Sequence, residues 1–210
     1  MPLAAGERIG GRYVLGELLD RGGMGSVFLA EDADLGRQVA LKILPATQWD
    51  DPRAVERFMR QARALARVEH PNVVRVYDRG LHDNRIPYVV MERLTGHNLA
   101  SALRDGALPP SRALHLTAWL CDAVEAVHTQ GVLHRDLKPA NVFLADNTGR
   151  GAELKLLDFG IAKLEDGAPL TGTQDLLGTF TYMAPELLEP GAPASVQSEV
   201  YAIACILYQM

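Results

Sequence analysis

The chain has 210 residues, 48% of them apolar and 22% charged, with a formal net charge of −5. That length is enough for one large domain or two small lobes with real cores. The acidic balance argues against nucleic acid or an anionic membrane surface as the main partner.

Residues 1–11 lack the apolar run of a signal peptide, and no stretch reaches the roughly 18 apolar residues of a membrane span. The expected location is the cytoplasm, with no membrane contact within these residues. Residues 12–18, 26–30 and 37–44 have the alternation and the β-branched or aromatic content of strands, with Gly-rich or polar turns between. Asp51-Pro52 then opens a helix whose apolar residues Val55, Phe58, Met59, Ala62, Leu65 and Ala66 follow helical spacing until His70-Pro71-Asn72 closes it. Strands are expected at 73–77 and 87–92, and 94–96 reads as a hinge. Beyond it, Ser111 is the expected N-cap of a helix over 112–129 that carries Ala113, Leu116, Leu120, Val124 and Val127 on one face and stops at Gly131. Residues 142–145 and 154–157 read as short strands, and 161–183 as a long loop without periodicity. Cys121 and Cys205 fall in apolar helical patterns and read as small core hydrophobes, not as a disulfide.

The densest chemistry lies at His134-Arg135-Asp136-Leu137-Lys138-Pro139-Ala140-Asn141, with Asp158-Phe159-Gly160 starting 22 residues after Asp136. The first segment offers a carboxylate that can accept a hydroxyl proton and, five residues on, an amide oxygen that can hold a metal. The second adds another carboxylate beside a glycine. Two hard oxygen ligands plus a base form the donor set that phosphoryl transfer from a magnesium nucleotide requires. Upstream, Leu19-Asp20-Arg21-Gly22-Gly23-Met24-Gly25-Ser26-Val27 sits between two strands, where glycines let backbone N–H groups approach phosphate oxygens. A Gly-rich hairpin turn would explain that segment alone, but its place ahead of Val39-Ala40-Leu41-Lys42 favours the phosphate reading. No Gly-Lys-Ser/Thr follows the glycines, which excludes a Walker-type ATPase.

These motifs, in this order, resemble the protein kinase domain, and specifically the eukaryotic-like serine/threonine kinases of bacteria, over essentially the whole chain. The resemblance implies an α+β, bilobal fold. Residues 1–94 would form a nucleotide-binding lobe, with an antiparallel five-stranded sheet and one helix. Residues 95–210 would form a mainly helical and incomplete lobe, holding the catalytic loop, the activation segment and the start of the central helix. It implies ATP and Mg²⁺ (or Mn²⁺) as cofactors. It also implies protein serine or threonine hydroxyls as acceptors, and autophosphorylation in trans within a homodimer. Because kinase domains continue through further helices, the chain reads as a piece of a longer kinase whose last helix exposes Val200, Ile203, Ile206 and Leu207.

Carried residue by residue, the resemblance assigns residues 19–27 to the phosphates and Lys42 to the α/β-phosphates. Val27 and Ala40 would lie above the adenine, Phe143 below it, and Met91 at the back as gatekeeper. The backbone of Glu92 and Leu94 would hydrogen-bond the base. Asp136 would orient the acceptor hydroxyl, a contribution of roughly 10²–10⁴ in rate. Lys138 would neutralise the transferring phosphoryl group, and Asn141 and Asp158 would hold the metal ions. His134 reads as a packing residue. Arg135 would receive a phosphate placed on Thr171 or Thr173, Thr179 would contact Asp136 and Lys138, and Glu186 would anchor the end of the activation segment.

Three departures accompany the match. Asp20 replaces the first loop glycine. Gln61 replaces the helix glutamate that partners Lys42; Glu56 points roughly 140° away around the helix and cannot substitute. A neutral bond there in place of a charged one is weaker by about 1–1.5 kcal/mol, a tenfold loss of the engaged lysine. Glu199 replaces an aspartate that braces the catalytic loop, with strain expected from the extra methylene. These departures support an alternative, a pseudokinase or weakly active nucleotide-binding signalling module; intact Lys42, Asp136, Asn141 and Asp158 oppose it. The Gly178-Thr179 and Ala184-Pro185-Glu186 segment favours protein over small-molecule acceptors.

Overall fold

Gly10 and Gly11 both have positive φ, at 57° and 73°. They make the tight primed turn whose Arg12 N–H donates to the Ile9 carbonyl at 3.1 Å. That turn adds a strand the alternation does not reveal, β1 (Arg8–Ile9), against β2 (Tyr13–Gly22). The computed structural model describes residues 3–22, 25–146, 154–158, 180–189 and 191–210. The chain divides into two units, Met1–Arg67 with Val74–Leu94, and Val68–Val73 with Thr95–Met210.

The first unit carries β1, β2, β3 (Gly25–Asp32), β4 (Arg37–Ile43), β5 (Val76–His82) and β6 (Ile86–Glu92). They form one antiparallel sheet in the order β1-β2-β3-β4-β6-β5, six strands where five are expected. A two-residue β1 is too short to show period-two alternation, which is why it escapes the sequence pattern. One face of the sheet buries Tyr13, Leu15, Ala30, Val39, Leu41, Ile43, Tyr88 and Val90 in a single cluster with Ile9. Within it the Tyr13 hydroxyl donates to Asp78 Oδ2 at 2.6 Å. Burial and that hydrogen bond push the Tyr13 phenol well above its usual range. At the sheet's end Arg12 makes a two-pronged pair with buried Asp32, at 2.7 and 2.8 Å, and holds that carboxyl below the usual range.

Helix α1 (Pro52–Leu65) begins where Asp51 accepts the Arg53 N–H at 2.9 Å, with proline in its first turn. It buries Ala54, Phe58, Ala62 and Leu65; Val55 and Met59 are only half-buried and Ala66 is exposed. The helix stops at Leu65 instead of running to His70. The residues after it join the second unit: Val73 bridges Leu156 in parallel, and the Leu156 N–H donates to the Asn72 carbonyl at 2.7 Å. This capture delays the next strand from 73 to Val76.

The second unit holds β7 (Gly96–Asn98), β8 (Val142–Ala145) and β9 (Leu154–Leu156) as a small antiparallel sheet. Its helices are α2 (Leu99–Ala102), α3 (Pro110–His128) and α4 (Val196–Gln209). Helix α3 starts on Pro109-Pro110, not on a Ser111 cap; proline fits the first turn because no partner is needed for its missing N–H. It buries Ala113, Leu116, Leu120, Val124 and Val127, together with Ala123. Helix α4 opens with a reciprocal cap between Ser195 and Ser198. Ile203 and Ile206 are buried within this unit, so the exposed apolar part of α4 is Val196, Val200, Tyr201 and Tyr208. Cys121 is exposed and Cys205 half-buried, both as free thiols, so neither is a core residue. No helix among the described residues is long and apolar enough to cross a membrane.

Candidate active site

In the first unit, strand register decides which side chains share a face. Val27 lies opposite Lys42, Ala40 opposite Met91, and Lys42 opposite Val89. Directly opposed residues project to the same side, so Val27, Ala40, Lys42 and Met91 line the sheet face that the main core cluster does not use. Lys42 is buried there. Asp20 pairs with Val27, Arg21 with Ser26 and Gly22 with Gly25, so the strands carrying the glycine segment remain paired to its tip. Gly23 and Met24 lie outside the described residues. Gly25 has φ +125°, and a Cβ on it would sit 2.1 Å from the Ile43 carbonyl oxygen. This position requires glycine for both reasons; Gly22 has open space instead. Leu19 and Asp20 are exposed, and the Asp20 carboxylate accepts the Arg21 N–H at 2.9 Å.

At the end of β6, the Glu92 N–H donates to the Arg75 carbonyl at 2.9 Å, so Glu92 can offer a base its carbonyl but not its N–H. Leu94 closes the first unit, half-buried. The expected hydrogen bond from Lys42 to Gln61 is absent: Gln61 Oε1 is buried without a hydrogen-bond partner. Helical spacing does carry Gln61 toward the buried side, but its amide oxygen makes no hydrogen bond to the lysine.

In the second unit the catalytic-loop residues bond to one another. Asp136 is buried, and its Oδ2 lies 3.0 Å from Lys138 Nζ and 3.0 Å from Asn141 Nδ2. Asn141 Nδ2 also donates to the Asp136 carbonyl at 2.7 Å and approaches the Asp158 carbonyl at 3.4 Å. With the amide hydrogens so committed, Oδ1 is the Asn141 atom left to bind a cation. The Leu157 N–H donates to the Asn141 carbonyl at 2.9 Å, tying the strand before Asp158 to the loop. The structure thus brings together the side chains of Asp136, Lys138 and Asn141, with the Asp158 backbone beside Asn141. Phe143, on β8 opposite Asn98 and Lys155, is half-buried.

His134 is fully buried. Its Nε2 donates to the Leu157 carbonyl at 2.7 Å and its Nδ1 accepts the Asp136 N–H at 3.3 Å, an arrangement only the neutral ring can satisfy. Burial pushes its pKa down. The ring thus holds backbone through both nitrogens. Arg135 and Asp158 are non-glycine residues with positive φ, at 65° and 43°. The Arg135 N–H donates to Glu199 Oε1 at 2.7 Å, while Glu199 Oε2 takes a 2.6 Å hydrogen bond from His128 Nε2. So the longer side chain at 199 reaches a second donor. His128 was missed by the sequence reading; the signal for it is that a buried carboxylate with two oxygens needs a second donor. A cleft beside Asp136 is lined by Tyr182, Met183, Leu187, Ser198 and Ala202. Glu186 is exposed in the 3₁₀ turn Pro185–Leu188. Thr171, Thr173 and Thr179 lie outside the described residues, as do Phe159 and Gly160.

The chain matches the protein kinase domain over residues 13–210. The chain belongs to that family. As a kinase domain it is 42% identical over 209 residues to a probable serine/threonine-protein kinase of Streptomyces coelicolor, covering 97% of this chain and 30% of that protein. It is 38% identical over 205 residues to the serine/threonine-protein kinase PknB of Mycobacterium tuberculosis, covering 95% of this chain and 32% of that protein. The chain therefore spans about a third of the length of these relatives. The crystal structure of the Mycobacterium tuberculosis PknI kinase domain superposes with TM-score 0.77 at 30% identity, covering 98% of this chain and 76% of that one. The kinase fold is thus shown by sequence and by structure. The family uses ATP and a divalent metal ion.

Proposed function

We propose that this domain transfers the γ-phosphoryl group of ATP to serine or threonine hydroxyls of proteins. The observation that carries the reading is the Asp136–Lys138–Asn141 cluster: a buried carboxylate held at 3.0 Å from an ammonium and an amide, beside Asp158. The Asp136 carboxylate orients the acceptor hydroxyl and takes its proton, and Lys138 screens negative charge on the group in transfer. Asn141 Oδ1 and the Asp158 carboxylate are hard oxygen donors that fit Mg²⁺, which prefers oxygen and keeps several waters and phosphate oxygens in its shell. Bound there, Mg²⁺ would offset charge on the phosphates. Lys42, with Val27, Ala40 and Met91 on the same sheet face, would hold the nucleotide, and the backbone of the glycine segment would meet its phosphates. Two copies would phosphorylate each other at Thr171 or Thr173, with Arg135 receiving the new phosphate. A phosphopeptide map showing neither threonine modified would remove that step.

The test is transfer of radiolabelled phosphate from ATP to a serine- and threonine-bearing protein, with Mg²⁺ supplied. Wild type is expected to exceed Asp136→Asn by roughly 10² or more. Equal incorporation by the two would reject catalysis through Asp136.

A further inference from the structure

The glycine segment carries an acid in place of its first glycine, and strand register fixes where that acid stands. Asp20 lies directly opposite Val27, and Val27 directly opposite Lys42. Asp20 therefore projects to the sheet face of Val27, Ala40, Lys42 and Met91. It stands level with Lys42 and two strands to its side, about 10 Å away at the backbone. The next residue, Arg21, pairs with Ser26 and projects to the opposite side. Asp20 is exposed, and its Oδ1 accepts the Arg21 N–H at 2.9 Å, which leaves Oδ2 as the oxygen available to a ligand.

We propose that Asp20 reads the sugar of the bound nucleotide, its carboxylate accepting hydrogen bonds from the ribose hydroxyls. The inference rests on the reading that the nucleotide lies along this face, with its base against Ala40 and Met91 and its phosphates at Lys42. A carboxylate needs donors, and the three parts of a nucleotide differ in what they offer it. The phosphates carry none, and they repel a carboxylate that lies within the screening length of about 10 Å at 0.1 M salt. The amino group of the base is a donor, but it belongs beside Met91 on β6, three strands from β2 in the sheet order. The ribose joins base to phosphates and carries two hydroxyls, which one carboxylate can accept together. An acid on the ribose 2′-OH is also how dinucleotide sites recognise their sugar on an unrelated fold. The charge that Asp20 adds to the glycine segment thus finds a partner that the phosphates do not supply.

The test uses the 210-residue chain as wild type, Asp20→Asn and Asp20→Gly, with a fluorescent ATP analogue displaced by unlabelled competitors. Adenosine and 2′,3′-dideoxyadenosine are the decisive pair, because neither carries phosphate or needs a metal ion. Wild type should bind adenosine about tenfold more tightly than the dideoxy compound. The ratio should fall to about threefold in Asp20→Asn, whose amide is a neutral acceptor, and to about one in Asp20→Gly. A ratio taken within one protein is not moved by a general loss of folding or affinity. ATP and 2′-deoxy-ATP should show the same trend in their KM values. An equal ratio in all three proteins, with ATP still bound, would overturn the assignment of Asp20 alone. So would tighter ATP binding by Asp20→Gly at an unchanged ratio, which would place the carboxylate against the phosphates. A wild-type chain that binds no ATP would overturn the nucleotide reading and this inference with it.

Discussion

Shortening Glu199 to aspartate separates two roles that its two oxygens now share. Glu199 is buried at 3% exposure, with Oε1 2.7 Å from the Arg135 nitrogen and Oε2 2.6 Å from His128 Nε2. Removing one methylene withdraws the carboxylate by about 1.5 Å, so it can keep one donor within hydrogen-bond reach but not both. The loss of one hydrogen bond to a charged group costs about 1.5–3 kcal/mol. His128→Ala should cost a similar amount plus the packing of its ring. The decisive quantity is the coupling between them: Glu199→Asp in the His128→Ala background should cost about 1.5–3 kcal/mol less than in wild type. Urea unfolding followed by tryptophan fluorescence suits the measurement, because Trp119 lies on α3, the helix that ends in His128. Additivity within about 0.5 kcal/mol would show that the shortening does not act through the Glu199–His128 bond, and the account of the longer side chain would fail.

Other outcomes follow from the same geometry. Gly25→Ala should destabilise the first unit by about 1–3 kcal/mol, because it forces a side chain into a positive-φ position against the Ile43 carbonyl; Gly22→Ala, with open space around it, should be near neutral in the same denaturation assay. Gln61→Glu places a carboxylate where an amide oxygen is now buried without a partner, and should raise nucleotide affinity or transfer rate up to tenfold by pairing with Lys42; an unchanged or lower value would remove Gln61 as the weak point. His134, whose pKa burial lowers from an ordinary value near 6.5, contributes stability that is present above that pH. As pH falls below it the unfolded ring takes a proton that the folded ring refuses, so stability should drop by up to about 1.4 kcal/mol per pH unit, and His134→Leu should flatten the slope.

Much of the site is legible in the sequence because its geometry is local or periodic. Period two alone puts Ala40 and Lys42 on one sheet face, and the five-residue step from Asp136 to Asn141 spans one turn that closes on its own hydrogen bonds. What the sequence conceals depends on partners far along the chain. The strand expected from 73 begins at Val76 because Val73 is bridged to Leu156. A pattern of apolar letters reads the same whichever sheet captures it. Likewise Glu199 looks like an oversized aspartate until His128, 71 residues away, is seen at its second oxygen. Gln61 is the converse case: its helical register is readable, whereas whether its oxygen finds a donor depends on neighbours brought in by the fold.

The two carboxylates proposed for the chemistry share a further property. Asp136 directly follows a residue with positive φ, and Asp158 is itself one. A non-glycine residue in that conformation costs about 1–2 kcal/mol and persists only where its surroundings over-determine it. Here the constraint acts on the backbone. Glu199 holds the Arg135 N–H, His134 the Asp136 N–H, and Asn141 approaches the Asp158 carbonyl. Glu199 and His134, which have no proposed part in proton or phosphoryl transfer, therefore hold the backbone from which the Asp136 carboxylate leaves, and Asn141 lies against that of Asp158. Substitutions at Glu199 or His134 should accordingly lower turnover through misdirected carboxylates while Asp136 and Asp158 remain chemically intact, and a lowered kcat with unchanged ATP affinity would distinguish this from loss of the nucleotide site.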